Sequence, residues 1–288
     1  MTADALKLPG GSLPDERESV GEELRTVGMV WEREAIRFFR TRARILSSFI
    51  QPILFLFVLG WGMSSLVGTV AGFDFKKFLF PGIVAMTVLS TAISSAISIV
   101  WDREFGFLRE MLVAPVSRTA LVCGKTLGGA SIATVQGTIM LALAPLIGVH
   151  LTTLLVVQVI GLELLMAVSL TAFGVFVASH IQRMEGFSVV MQLLLFPMLF
   201  LSGALFPLGG LPGWLTVLTR INPLTYAVAP LRHLVFAAQH MPPAAAAKFS
   251  SSVTLFGHAL SDAACVGITC AFAVVFLVLA VTGFGKPD

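Results

Sequence analysis

The sequence predicts an all-α membrane protein: six transmembrane helices, an amphipathic interfacial helix before them, and a cytoplasmic helix between the second and third spans. Three observations predict it. The first is composition. Of 288 residues, 56% are hydrophobic and 12% charged, where a soluble domain carries roughly 25% charged residues. The mean hydropathy is +0.91. A soluble globule of this size would lack the polar surface to cover itself, so a soluble enzyme and a disordered chain are both excluded. The second is the presence of six stretches long enough to cross a hydrocarbon core about 30 Å thick, which takes about 20 apolar residues. The third is the absence of strict period-two alternation, which argues against a barrel. In lipid the backbone must satisfy its own hydrogen bonds, so the stretches are helices.

Residues 1–20 are rich in Gly, Pro, Asp and Glu and are expected to form a disordered cytoplasmic tail. No apolar h-region occurs before residue 45, so the first span is expected to act as its own targeting signal. Over residues 21–44 the apolar residues Leu24, Val27, Trp31, Ala35 and Phe38 recur at spacings of three and four. Glu23, Arg25, Arg33, Arg37 and Arg40 fall largely elsewhere on the wheel. This pattern predicts an interfacial helix, with Trp31 as an anchor at headgroup level.

The expected spans are Ile45–Leu66, Leu79–Val100, Thr126–Val149, Thr153–Ser179, Phe187–Pro207 and Leu255–Phe284, making residues 45–284 the membrane domain and 285–288 a short cytoplasmic tail. Fourteen of the nineteen Lys and Arg residues lie in the termini and the loops on their side, including Arg103, Arg109, Arg118 and Lys125; five lie in the opposite loops. The positive-inside bias therefore puts both termini in the cytoplasm. A net charge of +3 is too small to imply nucleic-acid binding.

The loop after the second span carries most information. Trp101, Phe105, Leu108 and Leu112 follow one helical face, and Asp102, Arg103, Arg109 and Glu110 supply the others. Pro115 stops this helix, and Ser117 reads as the N-cap of the next. Such a helix suits a groove on a soluble partner, and its apolar face suits lipid equally.

Polar residues inside the spans are few. Glu163 stands in the middle of the fourth, where a carboxylate costs about 2.5–3.5 kcal/mol on insertion scales and must face protein or water. It reads either as a buried group bonded to Gln136 or Gln192, or as a cavity residue for a cationic substrate. Gln51-Pro52 and Pro197 mark possible kinks. Phe196 and Phe200, with Gln51 and Gln192, are candidates for an apolar pathway. The three cysteines and five histidines show no metal-ligand spacing. The run from Thr119 to Gly124-Lys125-Thr126 imitates a phosphate loop but has Thr where its first Gly must stand, and leads into a span.

At two places the sequence resembles a known family. Arg103-Glu104-Phe105-Gly106, then Leu112-Val-Ala-Pro115-Val-Ser-Arg118 and Gly124-Lys125, is similar to the cytoplasmic loop of type-2 ATP-binding-cassette exporter permeases, the group of the daunorubicin-resistance and nodulation-factor export permeases. Phe200-Leu-Ser202-Gly203-Ala-Leu-Phe206-Pro207, Leu211-Pro212-Gly-Trp214-Leu, Asn222-Pro223-Leu-Thr-Tyr226 and Leu231-Arg232 resemble that family's fifth-span and outer-loop signature. The resemblance covers roughly residues 24–284.

It implies that 101–112 is a coupling helix, with Trp101, Arg103, Glu104, Phe105, Gly106, Leu108, Arg109 and Leu112 facing a separate nucleotide-binding subunit. It implies a connecting helix touching the same subunit through Trp31, Arg33 and Arg37. Residues 208–235 would form an outer re-entrant region, with Ser202, Gly203, Pro207, Asn222 and Pro223 near the outer gate. The chain itself would bind no metal or cofactor; ATP and Mg would sit in the partner ATPase. The assembly would pair this chain with a second permease subunit, read as an identical copy, in a bacterial inner membrane. Its cargo would be an amphipathic drug, antibiotic or lipid-like molecule. Two alternatives stand beside this: a proton-coupled secondary transporter using Glu163, and a lipid or lipid-linked glycan exporter of the same family.

Overall fold

The computed structural model describes residues 20–67, 69–70, 73–106, 117–209, 211–239, 253–255 and 258–284. Helix α1 (Val20–Arg40) leads into α2 (Arg42–Leu54), a π-helical turn (Phe55–Leu59) and α3 (Gly60–Val67), which together make one long apolar rod. Pro52 lies inside α2, and the wide turn follows it directly; a helix that loses a backbone donor relaxes its ladder locally. A two-residue hairpin, β1 (Thr69–Val70) with β2 (Phe73–Asp74), reverses the chain into α4 (Phe75–Ser95), which continues almost unbroken as α5 (Ile97–Glu104).

Next come α6 (Arg118–Leu141), a 3₁₀ turn (Ala144–Ile147), α7 (Thr153–His180) and α8 (Met184–Leu201). Two shorter helices, α9 (Gly213–Ile221) and α10 (Pro223–Ala238), precede a second small hairpin, β3 (Thr254–Leu255) with β4 (His258–Ala259), and the final helix α11 (Asp262–Gly283).

Helix α4 is the centre of the bundle, packed against α6, α7 and α10. Phe78, Phe80, Ile83, Met86, Leu89 and Ile93 are fully buried along it. The rods beginning at Ile45, Met184 and Asp262 keep most of their apolar side chains on the outside, as helices facing lipid do.

Among the described residues, five helices are long and apolar enough to cross a membrane: Ile45–Ser64, Phe75–Glu104, Thr153–His180, Met184–Leu201 and Asp262–Gly283. The stretch expected as a third span, Thr126–Val149, is α6 and the 3₁₀ turn, and is not among these five. Its helix starts earlier, at Arg118, where Ser117 Oγ accepts the Ala120 amide at 3.1 Å as an N-cap, and it ends at Leu141, ahead of Pro145. Gly, Thr and Gln residues, with Arg118 and Lys125 in its first turns, dilute its hydropathy; most of them are turned towards neighbouring helices.

Other boundaries shift for local reasons. The interfacial helix stops at Arg40, before Thr41, so residues 42–44 belong to the first rod. The last span begins at Asp262 rather than Leu255, because Leu255 pairs with His258 and Ser261 caps the helix. The fifth ends at Leu201, before a turn at Gly203 whose φ of 77° favours glycine. The expected coupling helix over 101–112 is described only as far as Gly106. Trp101 lies on α5, the continuation of the second span, which stops at Glu104, and Gly106 has φ 82°. Leu108, Arg109 and Leu112 lie outside the described residues.

Candidate functional site

Helix α1 does not lie alone on a surface. It packs along α6, and the contact is made possible by two glycines one turn apart. A Cβ on Gly124 would stand 2.7 Å from Val30 Cβ, and one on Gly128 would stand 2.9 Å from Glu34 Cβ. The buried face of α1 is thus centred on Val30 and Glu34. It is rotated from the expected stripe, whose Leu24 is 66% exposed. Trp31 is also partly exposed, but its indole N–H donates to Ser131 Oγ at 3.0 Å, so it is tied to α6.

This seating brings a charged cluster together beneath the bundle. Lys125, on α6, is 3% exposed, and Glu34 and Asp102 are each 7% exposed. Lys125 Nζ donates to Asp102 Oδ2 at 2.7 Å, to Glu34 Oε1 at 3.0 Å and to Ser98 Oγ at 3.2 Å. Arg33 donates to Asp102 Oδ2 at 3.1 Å, and Arg37 approaches Asp102 Oδ1 at 3.8 Å while its guanidinium covers the Trp101 ring at 5.6 Å. A buried ammonium is tolerable only when its donors are met by charge and hydrogen bonds together, and here all three are. The cluster joins α1, α5 and α6 through side chains alone.

The end of α5 is tied to a fourth element. Arg103 Nη1 donates to the carbonyl oxygens of Ser179 and Ile181, at 2.9 and 3.4 Å. Glu104 Oε2 accepts the Met184 amide at 3.0 Å, at the positive end of α8. Both side chains expected to face a partner thus also hold the turn between α7 and α8. Phe105 is exposed and Trp101 partly so, their rings 4.9 Å apart, and among the described residues nothing lies within 4 Å of where a Cβ on Gly106 would stand.

The pathway candidates divide. Gln51, Gln192, Phe196 and Phe200 lie on exposed faces of α2 and α8. Glu163 is fully buried. Its Oε2 accepts from Thr138 Oγ1 at 3.3 Å, and its carboxyl group fills the space beside Gly137, 2.9 Å from where a Cβ would be. The expected bond to Gln136 or Gln192 does not form. Gln192 is exposed, and Gln136 instead accepts from Thr91 and donates to Ser48 Oγ at 2.6 Å, linking α6 to α4 and α2.

At the opposite end of the bundle the structure brings together most of the second group of expected residues. Asn222 Oδ1 caps α10 by accepting the Leu224 amide at 3.1 Å, and its Nδ2 donates to the Met198 carbonyl at 2.6 Å. Ser202 Oγ accepts the Ala204 amide at 3.1 Å. Arg232, 5% exposed, donates to the carbonyl oxygens of Gly203 and Ala204, its guanidinium 4.5 Å from the centre of the Phe78 ring. The Ala204 carbonyl in turn lies directly against Gly82 of α4. Pro207 and Pro223 flank this clamp, half-buried.

The sequence assigns no site role to Glu34, Asp102, Lys125 or Arg232, although Lys125 and Arg232 stand within the two family motifs. A usable signal existed for two: Lys125 and Arg232 are cations within otherwise apolar helices, and such a charge needs a partner. Glu34 has no such signal, because it is one of several acidic residues on a polar helix. No group of three or more potential metal ligands occurs among the described residues.

The family model described as ABC-2 type transporter matches residues 25–236. The chain is 30% identical over 211 residues to the protein named transport permease ycf38 of Pyropia yezoensis, covering 70% of this chain and 71% of the relative. It is 29% identical over 211 residues to nodulation protein J of Rhizobium meliloti (strain 1021), covering 72% and 79%. A multidrug ABC transporter permease of Escherichia coli (strain K12), YbhR, is 29% identical over 160 residues, covering 53% of this chain and 42% of the relative.

Proposed function

Since this chain belongs to the ABC-2 type transporter permease family, we propose that it is the membrane half of an ATP-driven exporter, worked by separate nucleotide-binding subunits. It is an integral membrane permease and not an enzyme. In the proposed assembly two permease chains enclose a path for an amphipathic drug, antibiotic or lipid-like molecule. Both termini face the cytoplasm of a bacterium, as the distribution of Lys and Arg suggests. ATP and Mg bind the partner subunits.

The observation that carries the reading is the Lys125 cluster. It ties α1, α5 and α6 into one unit at the end of the bundle where Trp101, Phe105 and Gly106 stand partly or fully open. A partner pressing on the segment that begins at Trp101 would move α5, and with it α4, of which α5 is the continuation. Through Arg103 and Glu104 the push would also reach the start of α8. ATP acts on this equilibrium only through its different affinity for the two states of the ATPase pair. The chain's part is to convert closure of that pair into a new arrangement of helices. Pro207, Asn222, Pro223 and the Arg232 clamp would then form the outer closure.

The proton-coupled alternative gains little from the geometry. Glu163 is buried beside Gly137 and bonded to Thr138, away from the surface. The test is transport of a fluorescent amphipathic cation in proteoliposomes, with and without the nucleotide-binding subunit. Uptake that requires ATP and that subunit is expected. Flux driven by a proton gradient through this chain alone would overturn the reading. Gly106→Val, which forces a branched side chain to φ 82°, is expected to leave the chain in the membrane while abolishing ATP-dependent uptake.

A further inference from the structure

Between α1, α2, α4, α5 and α6 lies a cavity of about 240 Å³ that none of the roles above employs. It is lined on one side by hydroxyls that repeat along α4 and α5: Ser90, Thr91, Ser94, Ser95 and Ser98. Gln51 stands opposite, and Glu34 and Arg37 stand towards α1. Ser90 and Ser98 are eight residues apart, about 12 Å along a helix. The wall therefore runs from the charged cluster well into the depth of the spans. Within that row Thr91 donates to Gln136, Ser95 to the Ala92 carbonyl, and Ser98 accepts from Lys125, so the wall is polar along its length.

Glu34 bears on what the cavity can hold. It is 7% exposed, and both of its cation contacts, Lys125 and Arg33, are made through Oε1. Oε2 has no partner among the described residues, although the side chain lines the cavity. An occupant that carries a donor can therefore be met by Glu34. A second ammonium is disfavoured, because Lys125 Nζ already stands 3.0 Å from Oε1; a hydroxyl is not. Arg37, one turn further along α1, is 40% exposed and its nearest carboxylate is 3.8 Å away. A planar guanidinium beside a polar cavity is suited to a phosphate, and basic pockets between spans hold anionic headgroups. The bulk of Phe38, Pro52 and Ile132 supplies an apolar flank for chains.

We propose that this cavity is a binding site for the hydroxylated phosphodiester headgroup of an anionic phospholipid. The phosphate lies on Arg37, a headgroup hydroxyl donates to Glu34 Oε2, and the glycerol backbone lies along Ser90 and Ser94. The site requires only that the chain spans a membrane, and it is independent of which cargo moves.

The test uses the full-length chain in nanodiscs made with phosphatidylglycerol, phosphatidylethanolamine or phosphatidylcholine, with bound lipid read by native mass spectrometry. Retention of about one phosphatidylglycerol per chain is expected, with neither other lipid displacing it at equal concentration. Ser90→Leu combined with Ser94→Leu fills the cavity without changing a charge. It should lower that retention roughly tenfold, and Arg37→Gln should do the same. Equal retention of all three lipids by the unaltered chain would overturn the proposal even if the variants fail to fold, as would full retention by the filled variant. Phosphatidylglycerol that stays bound while the complex hydrolyses ATP is a resident lipid; phosphatidylglycerol carried across is cargo using the same site. A cavity that admits only water, with no lipid retained, would also overturn the assignment.

Discussion

Among the described residues Lys125 and Arg232 are the two buried cations, one near each end of the helical bundle, and they are satisfied by different means. Lys125 lies between two carboxylates and a serine hydroxyl that come from two other helices. Arg232 meets carbonyl oxygens of one turn and the face of Phe78, and no carboxylate among the described residues. The difference is mechanical. Side-chain ion pairs can exchange partners over small movements, and Arg33 and Arg37 already stand beside Asp102 to do so. A guanidinium fork on main-chain oxygens fixes a backbone. One end is held by side chains drawn from three helices, the other by the backbone of a single turn.

The comparison can be broken most directly at Lys125. Lys125→Met leaves two buried carboxylates facing each other, and removal of one partner from such a group costs about 3–5 kcal/mol. Helix α1 is expected to detach from α6, seen as faster proteolysis near Arg33 and a lower unfolding midpoint in detergent. The triple change Lys125→Met, Glu34→Gln, Asp102→Asn should recover part of that loss, since no unpaired charge remains. Simple addition of the three single effects would show that the cluster does not act as a unit.

Arg232→Lys is expected to cost somewhat less, about 1–3 kcal/mol, because an ammonium cannot reproduce the fork on Gly203 and Ala204. Its effect should be confined to the far end, measurable as faster hydrogen exchange at residues 202–206 with unchanged protection of α1. The smallest effect is expected at Glu163. Glu163→Gln can still accept from Thr138, so unfolding should shift by less than about 1 kcal/mol. ATP-driven uptake of several cationic dyes should be unchanged; a selective loss would restore it to the transport path.

Much of the fold is written locally. Apolar length gives five of the rods, and the caps at Ser117 and Asn222 come from short-range chemistry that a linear reading can use. The ends that shift do so where one residue decides: Gly106 stops α5, and Ser261 delays α11. Helix α6 is the least legible rod, because a helix surrounded by protein needs small and polar residues where a lipid-facing one needs apolar ones.

The charged cluster is harder still. Glu34 and Lys125 are 91 residues apart, and no periodicity relates them. Glu163 illustrates the same limit. That it needs a partner is readable from the sequence. That the partner is Thr138 depends on Gly137, whose missing side chain leaves room for the carboxylate on that face of α6.

The notch that Gly124 and Gly128 cut into α6 has a further consequence. With Val30 and Glu34 seated in it, the two helices translate and tilt as a single spar. Spin labels at position 28, which faces open space, and at Cys123 would then serve as a ruler of fixed length throughout the working cycle, against which every other distance in the molecule can be gauged.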